Sequence, residues 1–529
     1  MMSDWLRQSA AAAVAIGTML GTWLSSPASI ARAATDNSPA AAPGHAGMVE
    51  WAGFAGNDQH TAIASARPQP FTRIRWKAKV DLHPVLDHGA LPIHYGSPMI
   101  TARNTVLVPT RVSAKAGFRV VAYSGANGAR RWSLITDWQQ APQESAGFST
   151  AAPLPAVLTP SATLAVAGAG GTILLRAHAN QKTGPVRRIV FYGAAQWKAH
   201  KSVYNKAVQI STPLTAGPDG SIYFGFIVND PTPDHLTNGI ARIAPDGHAT
   251  WISVPNAAGN KRLTIVPFDC APALSPNGKT VYMALIGVRI SMLVGLDAAT
   301  LKPRYHVTMT DPANGRPANV VFTDSTASPT IGPDGDVYFG VQEHLPPAHD
   351  GRGWLLHYNA TLTKTKTPGS FGWDNTVSVM PASAIPGYHG KSSYLLVSKY
   401  NNYYGIQPHG DGLNKVALLD PTASQKDPYG SVQVMKEVMT VLSPVLDPHD
   451  AHGARYEWCI NSAVVDPADD SVIVNSEAGI VYRWDLTTNK LVEKMRLNAP
   501  RPEGYTPTII GPDGTVYAIN NATLYAIGR

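Results

Sequence analysis

LTAGPDGSIYFGF (214–226), TIGPDGDVYFG (330–340) and TIIGPDGTVYAIN (508–520) are three copies of one phrase, an apolar stretch, a Pro-Asp-Gly turn and a second apolar stretch. ALSPNGKTVYMAL (273–285) is a looser copy and VVDPADDSVIVN (464–475) looser again. In such a turn proline presets φ, the aspartate bonds the local backbone, and glycine supplies positive φ. Each phrase therefore reads as two strands joined tightly.

The residue at the proline position recurs as Ala102, Pro160, Pro218, Pro276, Pro333, Pro386, Pro467 and Pro512, at spacings of 58, 58, 58, 57, 53, 81 and 45. Near-constant spacing marks a repeat architecture, and this period suits a four-stranded propeller blade. A second small turn follows the third strand of several units, in GANGARRW (125–132), APDGHATW (244–251) and DLTTNKL (485–491). Short strands punctuated by Gly and Pro argue an all-β protein, with no run of amphipathic helix expected. The chain stops three strands into the eighth unit. FTRIRWKAKVDL (71–82) supplies a fourth, with Trp76 standing where Trp132 and Trp251 stand in their own units. The expectation is an all-β, eight-bladed β-propeller over 51–529, with seven blades as the alternative count. Its blades are four-stranded and antiparallel, and the N-terminal strand around Arg73–Val80 closes the last one. Closure removes exposed sheet edges.

Charged residues make up only 15%, against 46 Gly and 43 Pro, which suits a turn-rich globular chain. Residues 1–33 read as a secretory signal peptide: Arg7, an apolar run from Ala10 to Leu24, and Ala31-Arg32-Ala33 as a small-x-small cleavage site. Residues 34–50 read as a flexible Ala/Pro-rich leader. The mature protein is then periplasmic or extracellular, without a stable membrane anchor, and a monomer is expected. A net charge of +7 without a Lys/Arg tract argues against a nucleic-acid partner. Export permits a disulfide between Cys270 and Cys459, but two buried free thiols are the favoured state.

The residues resemble the pyrroloquinoline-quinone-like (PQQ-like) β-propeller repeat superfamily, in particular its uncharacterised exported members. The resemblance rests on WAGFAGNDQHTAIA (51–64) followed by IRWKAKV, on TIGPDGDVYFG and GIARIAPDGHATW, and on KYNNYYGIQPHGDGLNKVALLDP (399–421) and EWCINSAVVDP (457–467). It implies the propeller, and either a noncatalytic binding scaffold or a quinoprotein dehydrogenase. Alcohol-oxidising members carry an adjacent cysteine pair, whereas the two cysteines here are far apart. No C-x-x-C-H haem motif is present, and the Asp-x-x-Thr-Gly-x-x-x-Trp repeat signature is mostly eroded.

Strand order separates two faces. Turns one-to-two and three-to-four share one face and are short. The two-to-three loops and the blade-to-blade connections share the other and are long, and long loops on a rigid scaffold usually carry function. Ten of the 17 histidines fall on the long-loop side. DPHDAHGARYEW (447–458) is its densest stretch. His449, Asp450 and His452 are the candidate ligands for zinc, copper or a similar ion. Arg455 suits an anionic group, with Glu457 beside it. Trp138, Trp197 and Trp458 suit stacking on a flat ligand, or plug gaps between blades. Tyr403 and Tyr404 suit a carbohydrate or peptide. These residues lead to an exported binding or scaffold propeller acting through its long-loop face. The alternatives are a PQQ- and divalent-metal-dependent oxidoreductase and, more weakly, a metal-assisted lyase or hydrolase.

Overall fold

The computed structural model describes residues 48–86, 91, 95–113, 117–140, 153–320, 327–344, 353–372, 375–401, 412–449, 453–458, 462–501 and 507–529. Eight antiparallel sheets follow in chain order and form an eight-bladed propeller, as the repeat predicts. Blade 1 holds Met99–Thr101, Thr105–Arg111, Phe118–Ser124 and Arg130–Thr136. Blade 8 holds Thr508–Ile510, Val516–Asn520, Thr523–Gly528 and, on its outside, Arg73–Lys79. All eight proline-position residues lie between the first and second strands of their blades. In blade 5 the fourth strand survives as two bridges, Leu355 with Gly369 and Tyr358 with Thr365. The long hairpin of blade 6, Lys415–Lys426 and Gln433–Leu442, leans over it: Met435 N donates to Pro368 O at 2.7 Å. Three short helices, Ala194–Ala199, Lys201–Ala207 and Val254–Ala258, sit in the blade-to-blade connections. Each is too short for amphipathic periodicity to be legible.

The ring is latched where the termini meet. Arg73 pairs with Gly528 and Lys79 with Thr523, with a bulge near Trp76. The Trp76 indole N–H donates to Gly125 O in blade 1 at 2.9 Å. The ring lies on Gly128, whose φ of +71° and 2.7 Å clearance from a built Cβ leave no room for a side chain.

The repeated Tyr of the phrase has the same task. Tyr223 donates to Ala298 O in the next blade at 2.9 Å, Tyr282 to Ala360 O at 2.7 Å and Tyr517 to Gly125 O at 3.5 Å. Tyr338 donates to the Tyr394 hydroxyl at 2.6 Å. All four rings are buried. Each staple joins the second strand of one blade to the next blade, three of them at its third-to-fourth turn.

One feature has no counterpart in the repeat. Residues 48–69 cross the axis of the ring on the short-turn face. Inner-strand N–H groups donate to this segment from blade after blade: Ala102 to Met48 O, Leu158 to Ala52 O, Leu274 to Asp58 O, Ile331 to Gln59 O, Val379 to Thr61 O and Val465 to Ala62 O, all at 2.7–3.0 Å. Gln69 N then donates to Gly514 O, so seven blades share one peptide. Its path needs positive φ at Ala55, Gly56, His60 and Ala62, costing on the order of 1 kcal/mol at each non-glycine. Asn57 holds the turn, its Oδ1 accepting from Gln59 N and Thr61 N. Strand Val49–Trp51 pairs with blade 1, and its first two residues fall inside the stretch 34–50 expected to be leader.

Replacing Trp76 with Ala is expected to lower stability by about 2–3 kcal/mol in urea denaturation, as a large, partly buried aromatic is lost from the latch. Gly128→Val should cost a similar amount, and the pair should cost less than the sum, because both break one contact.

Candidate functional site

The long-loop face is built mainly from the blade-to-blade connections. The two-to-three loops are shorter than expected in blades 2, 4, 7 and 8, where 169–171, 288–289, 477–479 and 521–522 suffice. Segment 48–69 crosses the inner strands at the end of the ring opposite this long-loop mouth.

The candidate aromatics do not gather at that mouth. Trp138 is buried, its Nε1 donates to Ile210 O at 3.1 Å and its ring meets Phe118 edge-on at 4.9 Å. It is a wedge between blades 1, 2 and 3. Trp458 is fully buried between blades 6 and 7, with Tyr482 edge-on at 5.8 Å. Its backbone is clamped by Asn401, whose Oδ1 accepts from Trp458 N at 3.0 Å. Trp197 lies on the helix Ala194–Ala199, half-buried, its Nε1 donating to Asn205 Oδ1 at 2.9 Å. Arg188 and Lys201 stand over the ring at 5.2 and 5.1 Å, so of the three it is the one with a cationic polar surround.

Arg455 is committed to the fold, Nη1 donating to Ser443 O at 2.8 Å while its backbone carbonyl accepts from Asn414. Leu446 and Arg455 form an antiparallel bridge in the connection between blades 6 and 7. Glu457 offers its carbonyl to Ser476 Oγ and Glu477 N. His449 is exposed, its N–H held by Asp447 Oδ1 at 2.9 Å. Asp450, His452, Tyr403, Tyr404 and Cys459 lie outside the described residues. Among those described, no group of three His, Cys, Asp or Glu side chains converges as a metal would need. Cys270 is wholly buried, and burial pushes its thiol up to about 12, which makes it a packing residue.

Two titratable groups that pattern reading passed over are associated with the segment across the axis. His60 is fully buried; its Nδ1–H donates to Pro329 O at 2.7 Å, and Nε2 has no partner among the described residues. Burial holds its pKa down to about 4, against the carbonyl bond that raises it. Asp466, under the segment's exit, is held up to about 6, chiefly by burial and secondarily by Asp469. Around the inner strands a belt of hydroxyls ties neighbours together: Thr215 to Pro272 O, Ser328 Oγ accepting from Ala271 N, Thr330 to Val377 O and Ser378 to Ala463 O.

No family model and no curated protein sequence matches the chain. Solved structures do match in fold. A quinohemoprotein alcohol dehydrogenase from Comamonas testosteroni superposes with a TM-score of 0.54 at 10% identity, over 90% of this chain and 81% of that one. A europium-containing methanol dehydrogenase gives 0.49 at 11%, over 88% and 89%. BamB from Moraxella catarrhalis gives 0.44 at 9%, over 86% and 97%. The resemblance to PQQ-like propellers is supported as a likeness of fold.

His60 is neutral in the fold, so its folded pKa lies below the ordinary value near 6.5. Below 6.5 the unfolded chain binds the extra proton, and stability falls as pH drops from 6.5 towards 4, by up to about 3 kcal/mol. His60→Gln should flatten that limb in denaturant titrations across the same window. An unchanged slope would show that His60 is not its source.

Proposed function

We propose that the protein is a binding propeller that takes a small ligand or protein partner on its long-loop face, in an exported setting. One observation carries this reading: the tryptophans available for stacking are spent on the scaffold. Trp138 and Trp458 are buried between blades, and Arg455 is tied to Ser443 O. Among the described residues, that face retains exposed Leu446 and His449 and the half-exposed polar surface around Trp197, which suits recognition. The fold family also implies PQQ with a divalent ion. That planar tricarboxylate calls for a stacking aromatic, cations and a cluster of ligands to the ion. The described residues do not fit it: Trp138 and Trp458 are enclosed, no cluster of ligands converges, and Cys270 is flanked by Asp269 and Ala271 rather than a second cysteine.

Purified protein should contain substoichiometric metal by elemental analysis. Titration with the quinone and calcium should give neither saturable absorbance change nor dye reduction. Saturable uptake with dye reduction overturns the binding reading in favour of an oxidoreductase. A stoichiometric transition metal without quinone uptake points instead to a metal-assisted lyase or hydrolase, and loss of that metal in His449→Ala/His452→Ala would locate it.

A further inference from the structure

Charge is divided unevenly around the ring. Residues 48–190, which supply blades 1 and 2 and the outer strand of blade 8, carry 15 Lys and Arg against 6 Asp and Glu. Residues 191–507 carry 25 against 27. The excess is concentrated on the short-turn side. Arg73 is exposed at the short-turn end of the outer strand of blade 8, Arg103 and Arg130 at the two turns of blade 1, and Lys182 and Arg187 at the third-to-fourth turn of blade 2. None has an ion-pair partner among the described residues. The turns here are the degenerate copies of the repeat: 102–104 reads ARN, 125–129 GANGA, 159–163 TPSAT and 177–185 AHANQKTGP, all without an acid. The one turn aspartate of this arc, Asp513, is paired with Arg75 at 3.2 Å. Elsewhere on the same face the turns keep theirs, as Asp219, Asp246, Asp297, Asp334, Asp469 and Asp485.

We infer that this arc of the short-turn face docks on an anionic phospholipid surface. A broad set of point cations spread over the turns of three blades matches a plane of headgroups rather than a groove-bound peptide. Base stacking is not on offer. Trp76 is packed on Gly128, and Trp132 is buried with Arg176 at 3.6 Å over its ring. Two apolar side chains, Met48 and Val186, stand exposed among the cations. Docking here leaves the long-loop face open. The inference does not depend on what that face binds.

The full chain is tested by co-sedimentation with vesicles of phosphatidylcholine alone and with about 30 mol% phosphatidylglycerol, reading the ratio of the two partition coefficients. The wild type should favour the anionic vesicles and lose that preference in roughly 0.5 M salt. Replacing Arg73, Arg103, Arg130 and Arg187 together with Glu should cut the ratio by ~100-fold. A control with the same charge change on the other arc of this face, Lys279, Lys302, Lys364 and Lys391 to Glu, should cut it less than ~3-fold, the reach of screened charge being short. Equal losses in both variants would reduce the effect to net charge and overturn the inference. A wild-type ratio near one would do the same, as would retention on an acidic polypeptide or DNA without vesicle binding. Thermal melts establish that both variants are folded, and Arg103→Glu and Arg187→Glu singly repeat the reading at exposed positions if the fourfold variant is not.

Discussion

Eight sheets close into a ring only if each is held to its neighbour at a set angle, and here that hold is polar as well as apolar. Tyr223, Tyr282 and Tyr517 each leave their own blade to reach a backbone carbonyl in the next. The tyrosine follows closely on the Pro-Asp-Gly turn of its own blade, and the carbonyl it reaches is placed by the third-to-fourth turn of the next, so the turn registers of neighbouring blades are tied together. A buried hydroxyl that misses its carbonyl loses about 1–3 kcal/mol, more than the bond contributes when made. The staples thus penalise a wrong neighbour strongly, while the apolar interfaces supply most of the stability. Segment 48–69 adds a constraint that neighbours cannot. It accepts from Ala102, Leu158, Leu274, Ile331, Val379 and Val465 in turn, so a blade that drifts outward breaks a strand shared with the others.

That arrangement also allocates the faces. Where a staple lands on a third-to-fourth turn, that turn has to stay short, since a longer one would move the carbonyl that the tyrosine needs; blade 6, which takes its staple at Tyr394, carries a longer first-to-second turn at 382–393. The opposite side has no such bond to preserve, and insertions there cost mainly loop entropy, which grows slowly with length. Blade 5 shows how far this can go. Its outer strand is reduced to bridges, and the hairpin of blade 6 covers the gap through Met435 and the buried Val434.

The architecture was legible because its signals are local. Turn chemistry, strand length and the period of the phrase are all written within a dozen residues, and Trp76 could be matched to Trp132 by position alone. The crossing segment was visible only as an opening phrase. Its course depends on positive φ at Ala55, His60 and Ala62, which no residue type there announces, and on carbonyls hundreds of residues away. The aromatic site residues misled for a related reason. A tryptophan in a connection can face solvent, ligand or the neighbouring blade, and sequence does not say which; Trp138 and Trp458 take the third course. Trp197 differs because a short helix lifts it clear of the interface, and that helix has too few turns to show a period. His449 and Arg455 could be placed on the long-loop side from strand order. That Arg455 is spent on Ser443 O could not.

Turn degeneracy has a further meaning once the fold is known. What the first-to-second turn requires is a side chain that bonds the local backbone and a residue that tolerates its φ. A negative charge is not among the requirements. In blade 1, Asn104 takes the left-handed position and Asn127 accepts from Ala129 N at 3.1 Å, doing in neutral form what aspartate does elsewhere. Exchange of Asp for Asn or Ser at these positions is therefore close to silent for the ring. Charge on the short-turn face is free to vary while the geometry stays put, whereas the staples and the crossing segment are not. A fold so constrained in its backbone can still present a basic arc beside an acidic one, and the face without long loops need not be functionally mute.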